Sequence, residues 1–172
     1  MFTKADIEKY FMAEKQAGMF FMVIGVIALL LAIAFFFFLK TGFYKGAAIP
    51  LLLIGLIELA VGFTVYKRSD ADRIRNVYAY DMNPGQLQNQ ELPRMKTVNR
   101  NFIIYRWVEI VLVVCGLALI YFFRSNPTQA FWFGIGLTLS IQAIIMLVAD
   151  QAAETRAKLY TKGMEQFIGK LK

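Results

Sequence analysis

Residues 67 to 106 read KRSDADRIRNVYAYDMNPGQLQNQELPRMKTVNRNFIIYR and separate two long apolar stretches of a 172-residue chain. Lys and Arg that flank membrane spans stay on the cytoplasmic side of a bilayer. This polar connection therefore predicts the orientation of the segments on both sides of it. It holds eight of the nineteen Lys and Arg residues, namely Lys67, Arg68, Arg73, Arg75, Arg94, Lys96, Arg100 and Arg106.

The composition is that of a membrane protein. Hydrophobic residues make up 58% of the chain and charged residues only 18%, whereas a soluble domain is roughly 45–50% apolar even when Gly is counted. The chain has no His, which is the commonest metal ligand and general base at neutral pH, and its single cysteine, Cys115, lies in an apolar run. We therefore expect no metal and no cofactor, and the composition disfavours an enzyme.

Four apolar stretches are long enough to cross a bilayer, because a helix of about 20 residues spans a hydrocarbon core of ~30 Å. We place these spans at residues 18–39, 47–66, 107–123 and 130–149. Ala32 and Ala34 resemble a signal-peptide cleavage site, but the apolar run is too long for one and continues through four Phe residues. The sequence predicts an all-α fold in one domain, an antiparallel four-helix transmembrane bundle with cytoplasmic helix extensions.

The ends of the predicted helices follow from turn and capping residues. Thr3 can cap the first helix, which we expect to run unbroken from about residue 5 to 39. The loop at 40–46 contains two glycines that should break the helix, and Pro50 should then lie in the first turn of span two. Short links favour neighbouring helices that pack in sequence order.

The second half of the chain carries similar signals. Asn83, Pro84 and Gly85 should end the second helix, and residues 86–93 are expected to form an exposed loop. Thr128 is a plausible cap for span four. The tail, residues 150–172, is amphipathic and should extend the last helix or lie as a helix on the membrane surface.

The charges predict which side faces the cytoplasm. With both termini and the connection in the cytoplasm, that side carries 16 Lys and Arg against Lys40, Lys45 and Arg124 on the other. We expect an integral protein of the plasma (inner) membrane with both termini cytoplasmic. The modest positive surplus favours anionic inner-leaflet lipids as partners, and nucleic acid is not expected because it needs a denser basic face.

The two hairpins resemble a duplication. A shift of 84 residues pairs Lys40 with Arg124 and Glu58 with Gln142 without a gap through the outer turn. Hydropathy alone aligns any two membrane hairpins, so an internal repeat and a chance match are both open interpretations.

Glu58, Glu109 and Gln142 form a candidate polar layer inside three spans, each roughly 10–12 Å from the cytoplasmic boundary at 1.5 Å per residue. Arg106 lies one turn below Glu109 and can pair with it. A carboxylate at this depth costs several kcal/mol unless it is paired, hydrated or protonated. The layer could be closed by hydrogen bonds and hold the bundle together, carry a proton or cation, or line a lipid or small-ligand pocket open to the cytoplasm.

Two classes of function fit these features. Short outer turns and the absence of catalytic motifs favour a non-catalytic interaction, scaffold or accessory protein, whose partner would be another membrane protein or a second copy. The alternative is an oligomeric proton- or cation-coupled transporter or channel that uses Glu58 and Glu109. A pore would need several copies, because spans one and four carry no ionisable group.

Overall fold

The computed structural model describes residues 2 to 170, and no strand occurs among them. Nearly all of this part of the chain lies in four helices, each long and apolar enough to cross a membrane. The predicted all-helical class with four candidate spans is thereby confirmed. The helices are α1 (Lys4–Leu39), α2 (Gly42–Met82), α3 (Pro84–Phe123) and α4 (Pro127–Gly169).

The first helix begins and ends at residues with clear local causes. Thr3 is the N-cap, and its backbone N–H donates to the carboxylate of Asp6 at 2.8 Å, so the predicted cap is confirmed. The last turn of α1 is a π-helix, Phe35–Leu39, and the chain then reverses at Lys40, whose φ of 55° is left-handed. The helix break is at Lys40 and Thr41, and the expectation that glycines cause it was wrong.

Both glycines of the predicted loop lie in α2, which begins at Gly42. Gly46 is instead needed for helix packing, because a Cβ there would overlap the backbone of Phe131 on α4. Since α2 starts earlier than expected, Pro50 lies inside the helix and not in its first turn.

Residues 86–93 are helical and not the expected exposed loop. Met82 ends α2 as predicted, and Pro84 starts α3 at once, at the position where its fixed φ suits a helix and its missing N–H removes no hydrogen bond. Leu87 and Glu91 are one turn apart on the same face, and both are buried. Burial of Leu87 and Glu91 stabilises the helix in this segment. The polar composition of residues 86–93 hides that amphipathic signal in the sequence.

The outer turn between α3 and α4 is short, as expected, but Asn126 caps α4 instead of Thr128. The side-chain oxygen of Asn126 accepts a hydrogen bond from the Thr128 backbone N–H at 3.1 Å, and α4 begins with a 3-10 turn at Pro127–Gln129. The tail takes the first of its two predicted forms and extends α4 to Gly169. Residues 171 and 172 lie outside the described part.

The helices do not pack in sequence order. Helix α1 packs mainly on α2, α2 on α4, and α4 on α3, while α2 and α3 meet mainly beside their junction. The α2–α4 contact is close because Gly134 lies against the backbone of Phe43 and Ala47. The Thr138 hydroxyl on α4 also donates to the Ala47 carbonyl at 3.0 Å.

Glycines bring α1 and α2 into backbone contact. A Cβ on Gly18 would lie 2.8 Å from the carbonyl oxygen of Gly62, and one on Gly25 would lie 2.7 Å from that of Gly55. Small residues allow this close approach in membrane helices, where packing replaces the hydrophobic effect between helices.

The polar half of the molecule has a core of its own, to which all four helices contribute. Its centre is the stack of Tyr10 on Tyr160, with ring centroids 4.2 Å apart. We call the half that contains the polar connection and both ends of the described chain the basal half. Its core, the basal core, is made of Phe2, Ile7, Tyr10, Phe11, Ala79, Leu87, Met95, Ala157, Tyr160, Met164 and Ile168. The apolar half contains the predicted spans, and most of its large side chains are exposed.

Candidate functional site

The predicted polar layer is buried, and its members come from three helices. Glu58 on α2 and Glu109 on α3 are each 2% exposed, and Gln142 on α4 is buried to a similar degree. Glu58 is covered by α1 at Gly25, where a Cβ would lie 3.3 Å from the Cβ of Glu58. Close helix packing therefore shields these three side chains from the medium that surrounds the apolar half.

These side chains have no hydrogen-bond partners among residues 2 to 170. Both carboxyl oxygens of Glu58, both of Glu109 and both amide atoms of Gln142 are buried without one. A layer closed by hydrogen bonds, as one interpretation of the sequence has it, would give each of these atoms a hydrogen-bond partner. Asp150 on α4 is the carboxyl group that interacts with Glu109, and two carboxyl groups hydrogen-bond to each other only when one of them is protonated.

Arg106 pairs with Glu154 on α4 instead of Glu109 on its own helix. Glu154 is buried and also forms an ion pair with Lys158, whose ammonium nitrogen lies 2.6 Å from a carboxyl oxygen. Burial by itself would raise the pKa of Glu154, but the hydrogen bonds from Arg106 and Lys158 outweigh it and hold that pKa below its usual value. Glu154 is not among the site residues predicted from the sequence, although its four-residue spacing from Lys158 is that of a helical ion pair.

A second buried carboxylate is fully paired. Arg94 donates to both oxygens of Glu91 at 2.9 and 2.6 Å, and its guanidinium lies 5.7 Å from the ring centre of Phe11. This pair was also missed, since residues 86–93 were expected to form a loop. Its signal was the three-residue spacing between Glu91 and Arg94.

Ion pairs also join α1 to α2 along the basal half. Lys4 pairs with Asp81 at 2.6 Å, and Lys15 pairs with Asp70 at 2.5 Å. The hydrogen bond from Lys15 is the main reason that the pKa of Asp70 lies below its usual value. Solvent screens pairs this exposed, so they fix the register of α1 on α2 more than they stabilise the fold.

A cavity of about 280 Å³ lies between the four helices, where the apolar and basal halves meet. Its charged lining residues are Glu14, Arg68, Asp150 and Arg156, and its walls are otherwise largely apolar. Arg68 donates to Glu14 at 2.8 Å. Burial raises the pKa of Glu14 despite this ion pair. Asp150 lines this cavity, and its carboxyl group also interacts with that of Glu109.

No group of three or more His, Cys, Asp or Glu side chains that could hold a metal ion occurs in the described residues. Comparison with known proteins finds no matching family model, no similar curated protein and no similar solved structure. The class of protein rests on the fold itself, four helices long and apolar enough to cross a membrane.

Proposed function

We propose that this chain is a non-catalytic integral membrane protein of the interaction, scaffold or accessory type. In this proposal the four helices form an antiparallel transmembrane bundle in the inner membrane, as one domain, with the basal half and both termini in the cytoplasm. Contacts between α1 and α2 support opposite directions, because Lys4 meets Asp81 whereas Lys15 meets Asp70. The excess of Lys and Arg in the basal half supports the orientation.

The observation that carries this proposal is an apolar stripe on the basal part of α2. Ile74, Tyr78 and Met82 follow one another at four-residue spacing and are 65%, 61% and 68% exposed. Residues at this spacing share one face of a helix, and a polar environment disfavours an exposed face of this kind. The basal core anchors this part of α2 through Ala79, so the stripe is a preformed surface for an amphipathic helix of a partner.

The partner in this proposal is a cytoplasmic helix of another membrane protein, and a second copy of the chain is the other outcome of the test. Full-length protein carrying Ile74→Glu and Tyr78→Glu would be extracted from native membranes beside the wild type. The matched control is Leu159→Glu, since Leu159 is 67% exposed on α4. Each sample would be analysed for stoichiometric co-purifying protein and for mass by light scattering.

We expect the wild type and the Leu159 variant to retain one partner at a fixed stoichiometry. The double variant should lose it while keeping the thermal unfolding midpoint of the wild type. A partner whose recovery is the same in all three samples would contradict the role of the stripe. A monomer without a partner in the wild type would contradict the interaction class.

A second candidate, an oligomeric proton- or cation-coupled transporter, is favoured by one observation. The carboxyl oxygens of Glu58 and Glu109 are buried without hydrogen-bond partners in the described chain, and such groups in membrane spans commonly mark ion or proton pathways. Asp150 and the central cavity offer a connection from Glu109 to the basal side.

Flux in liposomes tests this candidate. Wild-type protein should dissipate an imposed proton or cation gradient, and Glu58→Gln combined with Glu109→Gln should abolish the flux. Glu165→Gln removes an acid that is exposed in the basal half and should leave the flux unchanged. Flux that survives the double substitution, or none from the wild type, would exclude transport by this route. The internal repeat stays a prediction. The role of the polar layer in holding the bundle together is untested, and the unpartnered oxygens of Glu58 argue against it at that position.

A further inference from the structure

A groove between α1 and α4 is open along the side of the molecule. It has a volume of about 540 Å³, and α1 and α4 pack on each other much less than α1 and α2 do. In the apolar half its walls are mostly apolar, including Phe20, Phe21, Ile145 and Val148. The basal end is different, because Gln16 and Arg156 line it there.

Arg156 is a cation without an ion-pair partner in residues 2 to 170, as are Arg100 and Arg124, whereas five other Arg side chains there have one. It also lines the central cavity and a third cavity that contains Lys9. Side chains on a helix tilt toward its N-terminus, which for α4 is the direction of the apolar half. Arg156 is seven residues beyond Ala149, about 10 Å along the helix axis, so its guanidinium reaches back to the predicted headgroup layer.

We propose that this groove binds an anionic phospholipid of the cytoplasmic leaflet. One acyl chain lies along the apolar walls, and the headgroup phosphate accepts hydrogen bonds from Arg156. The guanidinium fork of Arg156 matches phosphate geometry, and no ion pair in the described residues engages it. The groove opens sideways in the apolar half, where the surrounding solvent is lipid. The inference rests on the proposed membrane placement and adds a specific site to it.

Native mass spectrometry of the full-length protein tests the site. Detergent-purified protein would be incubated with phosphatidylglycerol or phosphatidylcholine of the same chain length, and the retained lipid counted. Arg156→Gln should weaken retention of phosphatidylglycerol by about tenfold, the scale of one lost charge-assisted hydrogen bond. Arg156→Lys should retain most of the binding, and Ala152→Phe, which fills the groove, should lose binding of both lipids.

Lys67→Gln is the matched control, because Lys67 is an exposed cation next to span two that does not line the groove. It should bind phosphatidylglycerol as the wild type does. Equal loss in the Lys67 and Arg156 variants would show general charge attraction and overturn the site. Equal retention in the wild type, Arg156→Gln and Ala152→Phe would also overturn it. Carbonate extraction of the same membranes reports membrane integration separately, so a failed site and a failed membrane placement give different results.

Discussion

Arg106 on α3 donates a hydrogen bond to Glu154 on α4, although Glu109 lies only one helical turn away from it on its own helix. This contact joins two helices in the basal half and neutralises a buried carboxylate. It also leaves Glu109 without a hydrogen-bond partner within the described chain. Glu154 is therefore a paired, structural carboxylate, whereas Glu109 has no cation paired with it in the described residues.

Substitution of Arg106 should destabilise the fold. Arg106→Gln leaves the buried Glu154 with Lys158 alone, and we expect a loss of about 1–3 kcal/mol in unfolding free energy, reduced from the value of a fully buried pair because Arg106 is partly exposed. Lys96→Gln breaks the exposed pair with Glu165 and should change stability by less than about 0.5 kcal/mol. Thermal unfolding in detergent measures the stability of both variants. Equal losses of stability would contradict the structural role given to the pair of Arg106 and Glu154.

Stability should depend on pH through Glu154. Its pKa is lower in the folded protein than the usual 4.5, so the unfolded chain binds more protons as the pH falls. The wild type should therefore exceed Glu154→Gln in Tm above about pH 4.5, and this advantage should shrink below it. A Tm difference that stays constant from pH 8 to pH 4 would contradict this linkage.

Glu58 should be a cost to stability and not a support. Since neither carboxyl oxygen has a hydrogen-bond partner in the described structure, Glu58→Met should raise the unfolding free energy by about 1–2 kcal/mol. Glu91→Met is the matched control, because Glu91 is equally buried but paired with Arg94, and it should destabilise the protein. If Glu58→Met destabilises as much as the control does, then the polar layer holds the bundle together.

Gly25 should tolerate no side chain. A Cβ there would lie 2.7 Å from the Gly55 carbonyl oxygen and 2.8 Å from the Leu59 backbone nitrogen, so Gly25→Ala must push α1 away from α2. We expect a loss of about 1–3 kcal/mol. Gly42→Ala is the control, since the nearest atom to its Cβ would be 3.9 Å away. A Gly25 variant as stable as the Gly42 variant would show that the helices can separate freely.

The orientation can be read by cysteine labelling. In a Cys115→Ser background, Asn89→Cys reports the basal junction between α2 and α3, and Ser125→Cys reports the outer turn between α3 and α4. An impermeant maleimide should label the Ser125 variant in intact cells and the Asn89 variant only after permeabilisation, as the excess of basal Lys and Arg predicts. The opposite pattern would invert the proposed topology.

Helix existence and approximate length could be predicted from the sequence, whereas several helix ends could not. Apolar runs and the Asn83 and Pro84 signal placed the end of α2 correctly. Residues 86–93 looked like a loop because their many polar residues hide the pair of buried positions, Leu87 and Glu91, that makes the segment amphipathic. Leu87 and Glu91 indicate an amphipathic helix only once the helices that cover them are known.

The burial of Glu58, Glu109 and Gln142 was also foreseeable, because hydrocarbon cannot solvate charged or amide groups and they must turn toward other helices. The ion pairs beside them were not foreseeable. Whether Arg106 meets Glu109 or Glu154 depends on the register of α3 on α4, and that register is set by the close contact at Gly116, Gly136 and Ser140. Sequence spacing along one helix carries no information on this register.

The sequence by itself determined that the chain is helical, that four segments are long and apolar enough to cross a membrane, and that its acids inside them would be buried. These properties follow from composition and from local backbone preferences. Tertiary structure alone decided that α4 and not α3 packs along α2, that Arg106 pairs with Glu154, and that Arg156 faces an open groove. Those outcomes depend on which glycines let two backbones approach, and that depends on atoms far apart in the chain.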